Sequence, residues 1–179
     1  MQVCICSWNG RHFWGVATKN HFISSLTQYP VKKTELQKKV VILSKSEDSE
    51  FERALLEEFE VVHSAGAGYK LLCVALGLAD VYILTKASTH FWDTCGPHSI
   101  IKSLGGNIVK YQPTMEAANG EAESSSDKTF SSSSLSYELS YNVDQENAIN
   151  SHFANIDGII AYRDSSIVTS LLNGMKSST

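Results

Sequence analysis

Apolar and polar positions alternate along QVCICS and HFWGVA, on either side of Asn9 and Gly10. Asn-Gly tolerates the positive φ angles of a tight turn, so the two runs predict an antiparallel hairpin, with HFISSLTQ as a third strand. From Val40 the pattern changes. KVVILS reads as a short buried strand, and SEFERALLEEF, with Phe51, Leu55 and Phe59 four residues apart behind a Ser49/Glu52 capping box, reads as a helix. EVVHSA is a strand, GAGYKLLCVALGLAD a glycine loop running into a helix, VYILT a strand, and NIVKY another strand after a helix that follows Asp93. The core closes with the strand in IDGIIAYRD and the helix SSIVTSLLNG, with Gly174 past its end. Strands and helices taking turns predict an α/β fold built on a layered sheet.

Between NIVKY and IDGIIAYRD, residues 114 to 140 are poor in aliphatics and rich in Ser, Glu and Ala, which predicts a mobile surface insertion. The 179 residues, 42% of them hydrophobic, suffice for one domain with a real core. A net charge of −4, without a Lys/Arg-rich run, argues against a nucleic-acid polymer as partner. The longest apolar tract is interrupted by Gly77 and Asp80, so no membrane partner is expected. MQVCICSWNG has no secretory pattern, and Cys4, Cys6, Cys73 and Cys95 lack zinc spacing, so reduced thiols and a cytoplasmic location are expected.

Two places look built for chemistry. The loop SAGAGYK lies between a strand and a helix, where small Gly66, Ala67 and Gly68 leave backbone N–H groups approachable and the helix dipole adds roughly half a positive charge. Lys70 is on the wrong end of that dipole, at a cost of about 0.3 to 1 kcal/mol that a bound anion would remove. A tight turn with a solvated lysine is the plain alternative, and the spacing is not that of a P-loop. The second place is STHFWDTCGPHSIIKSLGG, with Pro97 in the first turn of a helix, Ile100, Ile101 and Leu104 on one face, and Gly105-Gly106 as its stop. Asp93 at the helix entrance is either an N-cap or a metal ligand. Trp92 reads as a core anchor, and His90 and His98 as surface or packing histidines. No G-x-S-x-G elbow is present.

WDTCGPHSIIKSLGGNIV resembles the second signature of the magnesium-dependent, lithium-sensitive phosphomonoesterases that include the inositol monophosphatases. AGAGYKLLCVALGLADVYIL, STHFWDTCGPHSIIKSLGG, GIIAYR and GRHFWGVA are similar, within that family, to the branch that removes the 1-phosphate of inositol polyphosphates. The resemblance implies the C-terminal half of a layered αβαβα sandwich, a mixed sheet covered by helices. It implies Mg²⁺ as cofactor with Asp93 as a ligand, and Gly66, Ala67 and Lys70 as contacts to substrate phosphate. Ser46 and Ser88 are implied as further substrate contacts, and a small phosphorylated inositol such as inositol 1,4-bisphosphate as substrate.

This chain departs from the family at two points. The lysine expected two places after Ser46 is Asp48. The first signature, an Asp-Pro-Ile/Leu-Asp-Gly/Ser-Thr run, and the upstream glutamates of the metal cluster are absent. One carboxylate cannot hold such a cluster. Residues 1–179 are therefore expected to be the C-terminal part of the phosphatase domain and inactive alone. A non-catalytic phosphate-binding module and the bisphosphate nucleotidase branch are the alternatives.

Overall fold

The computed structural model describes residues 2–8, 10–27, 38–120, 137–142 and 152–176. The chain opens with the expected hairpin: β1 (Gln2–Trp8) pairs antiparallel with β2 (Arg11–Ala17), Trp8 opposite Arg11. A third strand, β3 (Phe22–Ser24), pairs antiparallel with β2 and is shorter than the apolar run suggested. After it come β4 (Lys39–Leu43), α1 (Ser49–Leu55), β5 (Phe59–His63), α2 (Ala67–Leu76) and β6 (Val81–Leu84). Then follow α3 (Phe91–Ser103), β7 (Asn107–Lys110), α4 (Tyr111–Gly120), β8 (Ile159–Tyr162) and α5 (Ser166–Lys176).

The last five strands make one mixed sheet in the order β5-β4-β6-β8-β7. Strands β4, β5 and β6 run parallel, and β8 is antiparallel to both β6 and β7. VYIL and IIAY are buried at every position because both faces of this sheet are covered. Val41, Leu43, Val81, Ile83, Val109 and Ile160 meet Leu55 of α1 and Ile167, Val168 and Leu171 of α5 in one core. Ile42, Tyr82, Leu84, Ile108, Ile159 and Ala161 meet Leu71, Val74, Ile100 and Ile101 of α2 and α3 in the other. The three-stranded sheet covers the far side of α3. The order of layers is thus helix, sheet, helix, sheet, as an α/β sandwich with a mixed sheet requires. A Cβ on Gly15 of β2 would collide with Ser103 Oγ and come within 2.8 Å of Ile100 Cα, so only glycine lets β2 lie this close to α3.

Several local expectations need correction. The helix α1 stops at Leu55, and Phe59, which continues the four-residue spacing, opens β5 instead. Its cap is Asp48, whose Oδ1 accepts from the backbone N–H of Glu50 at 2.8 Å and Phe51 at 3.3 Å, rather than Ser49. Pro97 lies inside α3, well past the first turn, where its ring removes the donor to the Asp93 carbonyl. Trp92 is no core anchor: it is 63% exposed and stacks on His90 with ring centroids 4.5 Å apart. Gly174 falls within α5, not beyond it. The insertion expected from residue 114 begins as the helix α4, and its far end returns to the core, where the N–H of Leu139 donates to the carbonyl of Ile108 at 2.9 Å. Its middle, residues 121–136, lies outside the described residues. No helix among the described residues is long and apolar enough to cross a membrane.

His98 of α3 is fully buried and ties that returning segment down. Its Nδ1 lies 3.1 Å from the Tyr141 hydroxyl and its Nε2 2.7 Å from Asn107 Oδ1, while Asn107 Nδ2 and Lys102 both donate to Glu138. Burial pushes the imidazole down to about 4 from 6.5, with the Asn107 contact opposing. Above pH 6.5 the ring is neutral in folded and unfolded chain alike, so its contribution is level. Below that, the unfolded chain takes up a proton that folded His98 refuses, and stability falls until about pH 4, by up to roughly 3 kcal/mol. Denaturant midpoints followed across this window should decline in the wild type and lose that component of the slope in His98→Gln. An imidazole resonance of His98 titrating near 6.5 would refute the assignment.

Candidate functional site

Strands β4, β5 and β6 run the same way, so the segments that follow them open at one edge of the sheet, where open α/β sheets gather ligands. Tyr111 follows β7, and Gly158, just before β8, sends its carbonyl to the Tyr111 N–H at 3.3 Å. Every candidate residue read from the sequence lies in the first three of these segments or in the helices they lead into.

The loop after β5 carries Gly66 and Ala67. Gly66 is the N-cap of α2, at φ 79° and ψ 120°, and the cap makes no side-chain hydrogen bond to the first turn. Lys70 departs from the solvated lysine of the plain reading, because it is only 3% exposed. Its Nζ donates to Ser44 Oγ at 2.9 Å and to the Ser64 carbonyl at 3.2 Å, and lies 5.0 Å from the centre of the Tyr82 ring. Burial holds its ammonium below the ordinary lysine range, and the negative charge of Glu47 works against that shift. Both of its hydrogen-bond partners are neutral, so a buried cation stands at the uncapped end of a helix.

The loop after β4 carries Ser46, exposed, whose carbonyl accepts from Lys86 Nζ. The cation beside Ser46 is thus Lys86, while Asp48 is committed to capping α1. The loop after β6 carries Lys86 and exposed Ser88, then enters α3. Asp93 is neither the N-cap nor a bare surface carboxylate. The N-cap is His90, and Asp93, in the first turn, accepts from the His90 N–H through Oδ2 at 2.8 Å, with His90 Nδ1 at 3.8 Å. Tyr82 joins the two ends of the site. It carries Lys70 over its ring, and burial first, then the charges of Glu47 and Asp93, hold its phenol above the ordinary tyrosine value against the Ser44 hydrogen bond.

Sequence reading missed Glu47, Ser44, Thr85 and Tyr82. Glu47 Oε2 accepts from Thr85 Oγ1 at 2.5 Å and from Thr85 N–H at 3.4 Å, binding the loop after β4 to the loop after β6. The one signal was its place directly after Ser46, past the end of a predicted strand. For a divalent metal the fit is partial: among the described residues no three His, Cys, Asp or Glu side chains come together, and Asp93 offers one carboxylate whose Oδ2 is already engaged. The arrangement can grip an anion by backbone N–H groups and a buried ammonium.

The two glycines, Gly66 and Gly68, separate backbone demand from space. Gly66 has room for a Cβ but a φ that costs an L side chain about 1–3 kcal/mol, whereas Gly68 has open space in helical backbone. Gly66→Ala should lower the denaturant midpoint with the slope unchanged, and Gly68→Ala should be neutral or raise it, as alanine favours a helix by up to about 1 kcal/mol. Equal effects of the two substitutions would show that Gly66 is not the residue the loop conformation demands.

A model of the inositol monophosphatase family matches residues 3–150. An inositol polyphosphate 1-phosphatase of Mus musculus is 31% identical over 171 residues, covering 87% of this chain and 40% of that protein. A 3'(2'),5'-bisphosphate nucleotidase 1 of Dictyostelium discoideum is 40% identical over 53 residues, 30% of this chain and 17% of that protein. The solved inositol monophosphatase of Anabaena (Nostoc) superposes with a TM-score of 0.53 at 17% identity, over 93% of this chain and 54% of that one, a likeness of fold. The chain therefore spans about 40% of the length of the mouse relative.

Proposed function

The chain belongs to the inositol monophosphatase family, and from that membership we propose that it is the phosphate-gripping C-terminal part of a phosphomonoesterase acting on inositol polyphosphates. The substrate in this reading is inositol 1,4-bisphosphate, and the reaction is removal of its 1-phosphate. Water attacks phosphorus in line, the bond to the inositol oxygen breaks, that oxygen takes a proton, and inorganic phosphate leaves. The observation that carries the reading is the uncapped N-terminus of α2 beside the buried, neutrally partnered ammonium of Lys70.

In this reading the N–H groups at Ala67 and Gly68 face two phosphate oxygens, and Lys70 supplies the charge behind them. Ser46 and Ser88, on the loops to either side, orient the polyol. Magnesium, the cofactor the family implies, would supply charge neutralisation at the transferred phosphate. Asp93 is one carboxylate toward it, and among the described residues no three His, Cys, Asp or Glu side chains come together there. What this chain does by itself ends at binding and orientation. A second reading, a phosphate-binding module without turnover, is favoured by that same lack of a three-membered acidic cluster among the described residues.

The measurement has two parts. Purified chain 1–179 should bind inositol 1,4-bisphosphate more tightly than adenosine 3′,5′-bisphosphate, and Lys70→Met should weaken binding by about tenfold or more, the range of a lost charged hydrogen bond. Tighter binding of the nucleotide would move the chain to the nucleotidase branch. The same chain should release no phosphate above background at millimolar magnesium. Turnover that Asp93→Asn abolishes would mean that one acidic residue suffices and that the partial-site reading is wrong.

A further inference from the structure

Glu47 is the charged group of this edge that neither family resemblance nor spacing singles out. Its two carboxylate oxygens are in different states. Oε2 takes both hydrogen bonds from Thr85, whereas Oε1 is buried and finds no hydrogen-bond partner among the described residues. A buried carboxylate oxygen left without a donor is destabilising unless a positive charge faces it. The cation its charge acts on is Lys70, whose own hydrogen bonds go to neutral Ser44 and Ser64. Glu47 and Lys70 thus act on each other through space without closing an ion pair, while Tyr82 and Tyr111 feel the same carboxylate. Asp93 is a further charge acting on Tyr82, from α3.

Resting on the phosphate-gripping reading above, we propose that Glu47 is the positioning residue of the site: its carboxylate straps the loop that carries Ser88 and leads into α3 to the loop that carries Ser44 and Ser46, and supplies a negative charge acting on the buried ammonium of Lys70. The two roles separate chemically. Gln at 47 keeps an oxygen for Thr85 and loses the charge. Val at 85 breaks the hydroxyl strap and keeps the charge.

The charge is tested first without ligand, by following the Lys70 side-chain ammonium by NMR against pH in the full chain. Glu47→Gln should move its titration to lower pH by about half a unit or more, since the opposing charge is gone, and Thr85→Val should leave it in place. The strap is tested by binding of inorganic phosphate from about pH 6 to about pH 10. Glu47→Gln should bind phosphate about threefold more tightly at the acid end, where a like charge has been removed, and lose it earlier on the alkaline side, so that its profile crosses that of the wild type. Thr85→Val should be weaker by a similar factor at every pH. A Lys70 titration unmoved by Glu47→Gln, or a binding profile parallel to the wild type, overturns the charge role. Wild-type affinity in Thr85→Val overturns the strap. If the wild type binds no phosphate, it is the phosphate-gripping reading that fails, and the Lys70 titration still decides the role of Glu47.

Discussion

The helix α3 lies between two sheets, and the rest of the chain depends on its being dry on both sides. A helix in that place has little solvent face beyond Trp92 and Cys95 near its start, and Thr94, His98, Ser99 and Ser103 are all buried on it. Each is answered locally. Ser99 Oγ donates to the Cys95 carbonyl at 3.2 Å, Ser103 Oγ to the Ile100 carbonyl at 2.6 Å, and Thr94 Oγ1 accepts from Asn155 Nδ2 at 3.3 Å. Left open, each group would cost about 1–3 kcal/mol. Held this way from both faces, α3 has little freedom to slide, and the carboxylate in its first turn is set in place relative to the strand ends.

That anchoring gives the strand-end edge its electrostatic character. Two of its cations stand at different depths, Lys70 inside and Lys86 at the surface on the Ser46 carbonyl. Two carboxylates answer them without closing an ion pair on either among the described residues: Glu47 bound to Thr85, and Asp93 bound to the backbone of its own helix. The positive charge is left available to an incoming anion while the negative charges hold loops. A direct Glu47–Lys70 pair would have neutralised the site before any ligand arrived.

The sheet was legible because burial on both faces leaves a plain signature: VYIL and IIAY are continuous apolar runs of strand length, and VVIL and NIVK differ little. The loop at Gly66 and Ala67 was legible for another reason, since a glycine between a strand and a helix supplies the positive φ such a turn needs, here 79° at Gly66. Misreadings came where two signals share a residue. Phe59 fits the helical spacing of Phe51 and Leu55 but is taken by the parallel ladder, Lys39 pairing with Phe59. Trp92 reads as core by type, and the ring instead stacks on its neighbour His90 at the surface. Lys70 and Glu47 show the deeper limit. Whether a charged side chain turns inward depends on what other strand ends bring to it, here Ser44, Ser64 and Thr85, and no spacing along the chain records that meeting.

The antiparallel strand β8 has a consequence for how the molecule is made. It is the last of the described strands, yet it pairs with β6 on one side and β7 on the other, Ile159 lying opposite both Leu84 and Lys110. Until residues 159–162 have emerged from the ribosome, β6 and β7 have a gap between them and the sheet cannot close. Assembly waits on contacts between distant parts of the chain, which folding theory associates with slow, late-committing transitions. Two open strand edges are meanwhile exposed in the nascent protein, and these are the surfaces a chaperone must cover. A nonsense mutation ahead of Ile159 would therefore leave a split sheet, not a slightly shortened one.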